Sequence, residues 1–337
     1  MTETTVRWGV LGTGGIASTF AADLPRAAGA ELAAVGSRSK ESAVAFARRH
    51  GFARAHGSWA ELAADDQVDV VYVATPHAAH LAAAMTCLAG GKAVLCEKPM
   101  TLDLSSSALL VQEARTRGLF LMEAMWMRCN PAIRRIASLI EDGAIGTVVA
   151  VRADFGLAGP FEPTHRLRAP ELGGGALLDL GVYPLNLAHL ILGSPDRVQS
   201  WARLTPEGVD ETTGMLLGYE AAVAALTCTI NGLSRNDATI TGTLGRIDLP
   251  REFFVPRSFE LHRVGHESEV LEFPFHGHGY QYEAAEVQRC LIAGLLESPL
   301  VRQRTTLEIM SVMDAIRDEI GVSYPPNGQL NSGRTRK

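Results

Sequence analysis

The chain has 337 residues, 31 of them basic and 37 acidic, so its formal net charge is −6 with histidine neutral. This balance lacks the basic stripe with which a protein displaces counterions from nucleic acid, and it argues against a nucleic acid partner. With 47% hydrophobic and 20% charged residues the composition is that of a globular protein, and the length suits two domains.

The cysteines and the N-terminus predict the compartment. Five cysteines are scattered through apolar segments without a Cys-x-x-Cys pair: Cys87, Cys96, Cys129, Cys228 and Cys290. Such cysteines usually act as small hydrophobic residues rather than as a disulfide framework. Met1–Thr5 do not begin a secretion signal, and the chain has no run of about 18 apolar residues. We therefore expect a cytoplasmic protein with no membrane partner.

The first third of the chain alternates strands and helices. The predicted strands are Val6–Leu11, Glu31–Gly36, Val68–Ala74 and Ala93–Cys96, and the helices that follow them are Ala17–Leu24, Glu41–His50, Ala78–Ala89 and Leu104–Arg117. The third strand is nearly all apolar, as a parallel strand covered on both faces must be. Residues 1–125 are thus predicted to form a doubly wound α/β domain that binds a dinucleotide.

After about Met125 the apolar period is closer to two, which predicts an antiparallel sheet in residues 126–337. The candidate strands are Val148–Asp154, Val198–Leu204, Gly214–Gly218, Ala222–Ile230, Ala238–Leu244, Phe259–Val264 and Val270–Phe275. The candidate helices are Pro131–Asp142, Gly175–Leu192, Tyr280–Glu297 and Thr306–Ile320. A capping box from Thr305 to Glu308 is predicted to start the last helix, and the tail after Pro325 is expected to be loose.

A glycine-rich turn links the first strand to the first helix. It comprises Gly12, Thr13, Gly14, Gly15, Ile16 and Ala17. At this position the backbone can approach a pyrophosphate, and the N–H groups of the helix can bind its charge. A plain strand-to-helix turn is the less favoured alternative.

The end of the second strand predicts which dinucleotide is bound. An NAD site usually has a carboxylate there to bind the ribose, whereas residues 36–40 contain Ser37 and Arg38 and no acidic side chain. Because the Arg38 guanidinium and the Ser37 hydroxyl suit a 2′-phosphate, we expect NADP(H) to be preferred over NAD(H). The alternative is that Arg38 is a solvated loop residue.

The third and fourth strands end in polar residues at the same edge of the sheet. Thr75 and Pro76 are candidates to flank the nicotinamide ribose, and the nearby His77 and His80 are either ligand contacts or rim residues. The fourth strand ends in Glu97-Lys98-Pro99. Because proline fixes the turn and aims the preceding side chain, Lys98 is expected to face the ligand.

Together these motifs resemble the Gfo/Idh/MocA oxidoreductase family. The resemblance implies an N-terminal Rossmann fold and a C-terminal α+β domain with a large open, mostly antiparallel sheet. It further implies hydride transfer at a sugar-like alcohol, cofactor contacts from His80, Glu97 and Lys98, and a homodimer or homotetramer formed through the open sheet.

A helix of the second domain points to one branch of that family. Tyr183 stands where many members have histidine, four residues after Asp179. Helical spacing puts Asp179, Tyr183 and Asn186 on one polar face, although a buried tyrosine satisfied by a carboxylate has the same pattern. Together with residues 123–128, 154–156 and 166, the helix resembles the dihydrodiol dehydrogenase and NADP-dependent xylose dehydrogenase branch, which uses a tyrosine and lysine pair.

The mechanism implied by the resemblance assigns a role to each of these side chains. Lys98 would lower the pKa of Tyr183, Asp179 would orient the pair, and Tyr183 would exchange a proton with a sugar, cyclitol or trans-dihydrodiol. The candidate substrate contacts are Trp126, Arg128, Phe155, Arg166 and Asn186.

Two other kinds of protein remain possible from the sequence. A metal enzyme could use His262, His266, His276 and His278, but these lack the carboxylate spacing of a metal site. A non-catalytic dinucleotide-binding regulator would have the same fold, although the presence of Lys98, Asp179 and Tyr183 together argues against it.

Overall fold

The computed structural model describes residues 5–325, which form two sheets and the helices around them. The tail expected to be loose after Pro325 lies outside the described residues.

The first sheet has six parallel strands. They are β1 Val6–Leu11, β2 Ala30–Gly36, β3 Arg54–His56, β4 Val70–Val73, β5 Ala93–Glu97 and β6 Leu121–Ala124. Their order is β3-β2-β1-β4-β5-β6, so successive strands are added on one side of β1 and then on the other. Open α/β sheets bind ligands at this point of reversal. The predicted doubly wound parallel sheet is confirmed.

The helices of this half follow the strands. They are α1 Gly15–Asp23, α2 Lys40–His50, α3 Trp59–Ala63, α4 His80–Ala89 and α5 Leu104–Arg117. Ser39, Ser58 and Asp103 cap α2, α3 and α5 by accepting a backbone N–H of the first turn. The sequence pattern misses β3 and α3, because a strand of three half-buried residues and a five-residue helix have no clear period. It also misses β6, a run of only four residues that includes the buried Glu123.

The second sheet has eight strands. They are β7 Val148–Gly156, β8 Arg197–Leu204, β9 Asp210–Gly218, β10 Val223–Thr229, β11 Ala238–Gly242, β12 Gly245–Leu249, β13 Ser258–Arg263 and β14 Glu269–Glu272. Their order is β14-β13-β12-β11-β7-β10-β9-β8, and only the β7 and β10 pair is parallel. The mostly antiparallel sheet is confirmed. The predicted strand Ala238–Leu244 instead ends at Gly242, where the chain turns into β12.

Four further helices accompany the second sheet: α6 Pro131–Glu141, α7 Val182–Leu192, α8 Gln281–Ile292 and α9 Gln303–Ile320. The helix predicted over Gly175–Leu192 contains a π-helical segment, Leu177–Gly181, before α7. Pro170–Leu192 is apolar and long enough to cross a membrane by composition, but 78% of its most apolar window is buried inside the protein.

The predicted capping box of the last helix is wrong. α9 begins at Gln303, two residues before Thr305, and its N-cap Arg302 makes no side-chain cap. Instead, Glu297 Oε2 accepts the backbone N–H of Gln303 at 2.8 Å, so an upstream carboxylate satisfies a donor at this helix start. Glu308 pairs with Arg304 and His189.

The C-terminal segment returns to the first sheet. The backbone N–H of Leu121 in β6 donates to Leu296 O at 3.2 Å. The Thr306 hydroxyl donates to the buried Glu123 at 2.8 Å. Residues from the C-terminal half of the chain therefore pack along β6, the last strand of the first sheet.

Candidate active site

A cavity of about 720 Å³ lies at the carboxyl edge of the first sheet and extends to the second sheet. The predicted residues in its wall are Gly12, Thr13, Gly14, Gly15, Ile16, Ser37, Arg38, Thr75, Pro76, His77, His80, Glu97, Lys98, Trp126, Phe155, Arg166, Asp179 and Tyr183. The structure thus joins the predicted dinucleotide turn and the predicted tyrosine and lysine pair in one space.

The glycine turn forms one end of the cavity. Gly12 has φ +121°, and a Cβ there would lie 2.5 Å from Ala74 O, so only glycine fits. A Cβ at Gly14 or Gly15 would have no described atom within 4 Å, so the space beside the turn is open. Gly14 is the N-cap of α1 and has no side chain that could cap the helix. This open cradle with uncapped N–H donors fits a pyrophosphate. Ala17, also predicted to bind cofactor, lies instead in the buried core, because its small side chain faces the sheet.

Arg38 and Ser37 lie in the cavity wall beyond the glycine turn. Within residues 5–325, Arg38 makes no ion pair or side-chain hydrogen bond, so its guanidinium is available to a ligand. Lys40 is engaged elsewhere, since its Nζ donates to Ala55 O at 2.6 Å. Ser39 is committed to the cap of α2.

The loop after β4 contains one polar group that lacks a partner. Thr75 Oγ1 is buried and makes no hydrogen bond within the described residues, which fits a site that a ligand completes. His80 is fully buried, with its ring nitrogens 2.8 Å from Thr75 O and 2.9 Å from Pro99 O. Burial lowers the pKa of His80 to about 3, and a neutral ring has a single N–H, so His80 donates to one of these two carbonyl oxygens.

The end of β5 places Lys98 between the two halves of the chain. Its Nζ donates to Asp179 O at 2.7 Å and lies 3.4 Å from Asp179 Oδ1. The same Nζ lies 4.8 Å from the centroid of the Tyr183 ring. Burial alone would lower the pKa of Lys98, but Asp179 and Tyr183 outweigh it and raise that pKa. Lys98 therefore carries a buried positive charge beside the phenol.

Glu97, the preceding residue, is turned into the protein. Its carboxylate accepts the hydroxyl of Tyr72 and, at 3.0 Å, the backbone N–H of Lys98. Burial raises the pKa of Glu97. These contacts show Glu97 holding the Lys98 backbone.

Asp179 is the anion of the site. Arg166 donates to its two oxygens at 2.9 and 3.2 Å, and His77 Nε2 lies 3.5 Å from Oδ1. Burial would raise the pKa of Asp179, but Lys98, His77 and Arg166 hold it well below its usual range. A fixed carboxylate thus anchors three cationic or polar side chains from both halves of the chain.

Tyr183 is buried, and its hydroxyl accepts the indole N–H of Trp126 at 2.8 Å. Burial raises the pKa of Tyr183 to about 12, although Lys98 and the Trp126 hydrogen bond each lower it. The sequence predicts a lowered pKa of Tyr183 from the charge of Lys98, but desolvation of the buried phenol is the larger effect. Tyr183 is therefore a neutral phenol at pH 7, and no residue within 5–325 accepts its proton.

Aromatic rings form the wall around Tyr183. Trp126 stacks on Tyr280 with centroids 4.2 Å apart, and Phe155 stacks on Phe254 with centroids 4.5 Å apart. Sequence reasoning misses Phe254 and Tyr280, which come from turns and a helix start beyond residue 250 and follow no periodic pattern. An apolar ring face of a small substrate suits this wall.

Arg128 and Asn186 do not line the cavity. Arg128 Nε donates to Asn186 Oδ1 at 2.8 Å, and Asn186 Nδ2 donates to Val182 O, so these two side chains satisfy each other in the interior. Asn186 follows Tyr183 by three residues on α7, and its hydrogen bonds to Arg128 and Val182 hold its side chain in the interior rather than in the cavity wall.

The candidate metal histidines are spread over the structure. His262 on β13 lies beside Glu260 of the same strand and Asp248 of β12. His278 lies elsewhere, beside Asp23. Within residues 5–325 no three histidine, cysteine or acidic side chains are grouped so as to hold a metal ion.

Comparison with known proteins extends these observations. The model of the oxidoreductase family with an NAD-binding Rossmann fold matches residues 6–125, and the GFO/IDH/MocA C-terminal domain model matches residues 133–248. Trans-1,2-dihydrobenzene-1,2-diol dehydrogenase of Macaca fascicularis is 38% identical over 335 residues, which cover 95% of this chain and 98% of the relative. The Homo sapiens protein of that name is 36% identical over 336 residues, with the same coverage.

Solved structures are similar over almost the whole chain. KijD10, a 3-ketoreductase from Actinomadura kijaniata solved with NADP and TDP-benzene, has a TM-score of 0.83 at 28% identity and covers 94% of this chain and 98% of its own. Levoglucosan dehydrogenase, solved with NADH and levoglucosan, has a TM-score of 0.85 at 20% identity, covering 96% of this chain and all of its own, which is a likeness of fold.

The fold, the dinucleotide cradle and these matches define an NAD(P)-binding oxidoreductase. The chain belongs to the Gfo/Idh/MocA oxidoreductase family.

Proposed function

We propose that this protein transfers hydride between NADP(H) and a secondary alcohol or carbonyl of a sugar, cyclitol or trans-dihydrodiol, with Tyr183 and Lys98 as the acid and base pair. The observation that carries the proposal is the 4.8 Å approach of Lys98 Nζ to the Tyr183 ring, in the same cavity as the glycine turn. The nicotinamide, when bound, donates or accepts the hydride.

Tyr183 exchanges the proton. The phenol is neutral at pH 7 and its proton is not used by Trp126, so Tyr183 can donate directly to a carbonyl oxygen that becomes an alkoxide. In the oxidative direction the phenolate accepts the alcohol proton, and Lys98 and Trp126 stabilise that phenolate.

Asp179 keeps this pair in place. It holds Lys98 through its backbone oxygen and its side chain, and it holds Arg166 at the side of the cavity that faces solvent. We assign Asp179 and Arg166 to positioning and to polar substrate contacts, and Trp126 and Phe155 to the apolar substrate wall. The names of the relatives, a dihydrodiol dehydrogenase and a ketoreductase, support this substrate class.

The preference for NADP(H) rests on the end of β2. Arg38 is exposed in the cavity wall and has no side-chain partner among the described residues. Ser37 lies beside it, and the preceding glycine and the following Ser39 and Lys40 add no negative charge. A 2′-phosphate would gain charge-assisted hydrogen bonds there.

The oligomer that we propose uses the open face of the second sheet. Trp201 on β8 is 73% exposed and lies opposite Gly214, and the neighbouring Leu216 and Val223 are also exposed. The other face is buried, with Met215, Leu217 and Leu226 in the core. We propose that a second copy covers the exposed face in a homodimer or homotetramer. A cytoplasmic location is proposed on the five cysteines, all buried and unpaired.

The decisive experiment is turnover on a panel of aldoses, cyclitols and trans-dihydrodiols, followed by NADPH absorbance in both directions. We expect turnover with at least one of these classes and its loss in Tyr183→Phe. Tight NADPH binding without turnover on the whole panel would instead indicate the non-catalytic regulator.

A further inference from the structure

Asp23 is the last residue of α1, and its side chain is bound to a distant part of the chain. It is 1% exposed, and its Oδ2 accepts the backbone N–H groups of His278, Gly279 and Tyr280 at 2.7, 2.9 and 3.1 Å. These donors lie in the turn that leads into α8, whose N-cap is Tyr280, so Asp23 fixes that turn. A carboxylate at the C-terminal end of α1 interacts unfavourably with the dipole of α1, and its three hydrogen bonds to the turn account for its presence there.

The turn before α8 is shaped to receive this carboxylate. Gly277 has φ +84°, and a Cβ there would collide with Asp23 Oδ1. Gly279 has φ +107°, and a Cβ there would lie 3.3 Å from the Trp126 ring. Both glycines therefore allow the turn to approach Asp23 on one side and the cavity wall on the other.

The residue that Asp23 fixes belongs to the cavity wall. Tyr280 stacks on Trp126 with an angle of 13° between the rings. Trp126 in turn donates its indole N–H to the Tyr183 hydroxyl. A continuous set of contacts thus joins Asp23 to the proton-exchanging phenol.

We propose that Asp23 is a positioning residue for the reaction, which fixes Tyr280 and Trp126 and through them the hydroxyl of Tyr183. This inference rests on the proposed function. Because α1 begins at the glycine turn and ends at Asp23, one helix holds both the pyrophosphate cradle and the aromatic wall in register.

The test uses two changes that perturb the same contact from opposite sides, Asp23→Ala and Gly277→Ala. We expect each to lower kcat about tenfold to a hundredfold, the scale of a small misplacement of catalytic groups, with the KM for NADPH nearly unchanged. Asp23→Asn retains an acceptor oxygen and should lose less. The matched control is Asp69→Asn, because Asp69 also accepts three N–H groups, all from Arg7, on the first sheet.

A second measurement needs no turnover. The near-ultraviolet circular dichroism of the stacked Trp126 and Tyr280 should change in Asp23→Ala and Gly277→Ala as it does in Tyr280→Leu, and should be retained in Asp69→Asn. An unchanged spectrum with wild-type kcat in both variants would overturn the inference, as would an equal kcat loss in Asp69→Asn. If Asp23→Ala does not fold, Asp23→Asn and Gly277→Ala decide. Failure of the proposed function would instead show as full activity in Tyr183→Phe, whatever the spectra.

Discussion

Trp126 donates its indole N–H to the hydroxyl oxygen of Tyr183 at 2.8 Å, while the Lys98 ammonium lies over the ring of the same tyrosine. Both interactions favour the phenolate, and burial opposes them. The site therefore holds a neutral phenol that can donate a proton to a developing alkoxide, and both partners stabilise the phenolate that this transfer leaves.

Trp126→Phe should slow alcohol oxidation and carbonyl reduction by similar factors. The change keeps a ring in the wall but removes the hydrogen bond that stabilises the developing phenolate, a contribution of about 0.5–1.5 kcal/mol. Because Tyr183 rests as a neutral phenol in both directions, each rate should fall by about twofold to tenfold at pH 7. Rates in both directions with saturating cofactor provide the measurement, and unchanged rates in both directions would contradict this role.

Tyr183→Phe should cut kcat by about 10²-fold or more, with the affinity for NADP nearly unchanged, because only the proton transfer is lost. Lys98→Met should be at least as damaging, since it also removes one of the two cations that pair with Asp179. Tyr219→Phe is the control, because it removes a phenol oxygen at the turn after β9. Steady-state kinetics with separate cofactor titrations test this, and near-normal turnover in Tyr183→Phe would remove the tyrosine from its role.

The dinucleotide end of the cavity and the Tyr183 and Lys98 pair could be predicted because their residues follow clear strand or helix patterns in the sequence. Gly12, Lys98 and Tyr183 sit next to strong strand or helix patterns, so the topology alone brings them together. The direction in which the Tyr183 pKa shifts could not be predicted, since the burial of the phenol depends on the whole surrounding fold. Phe254 and Tyr280 could not be found either, because they reach the cavity from loops more than 120 residues away from Trp126 along the printed sequence.

Trp201→Glu should disrupt the proposed oligomer. The substitution places a charge on an exposed aromatic residue in the open face of the second sheet, where a partner copy would have to desolvate it. Light scattering at micromolar concentration should give a larger mass for the wild type than for this variant. Leu109→Glu is the control, because Leu109 is also an exposed nonpolar residue but lies on α5, away from the second sheet, and this change should leave the mass unchanged. A wild-type monomer would contradict the proposal.

Arg38→Ala should raise the KM for NADP by about tenfold to a hundredfold and leave that for NAD almost unchanged. The loss of one charge-assisted contact to the 2′-phosphate corresponds to about 1.5–3 kcal/mol. Arg48→Ala, at an exposed position on α2, serves as the control. An equal rise in the KM for NADP and for NAD would show that Arg38 contacts the adenosine in both cofactors rather than the 2′-phosphate.

Asp210 makes the stability of the folded protein depend on pH. Its Oδ2 accepts the backbone N–H of Leu177 and the Thr213 hydroxyl, both at 2.7 Å, whereas Oδ1 has no hydrogen-bond partner within residues 5–325. Burial raises the pKa of Asp210 from 3.8 to about 6. Because the folded-state pKa exceeds the unfolded one, this residue's contribution is fully present below pH 3.8 and is lost as the pH rises through about 6.

Asp210→Asn should therefore be more stable than the wild type at pH 8, by an amount of the order of 3 kcal/mol, and the difference should shrink as the pH falls towards 4. The amide can still accept both hydrogen bonds but has no charge to desolvate. Denaturant unfolding of both proteins between pH 4 and pH 8 gives the difference directly. Asp69→Asn is a control in which the stability change has the opposite sign. Burial would raise the pKa of Asp69, but hydrogen bonds from Arg7 outweigh it and lower that pKa, so this variant should be less stable than the wild type above pH 4. A constant difference in the free energy of unfolding between Asp210→Asn and the wild type across this range would contradict the prediction. It would mean that Asp210 stays ionised in the folded protein and that its Oδ1 has a hydrogen-bond partner.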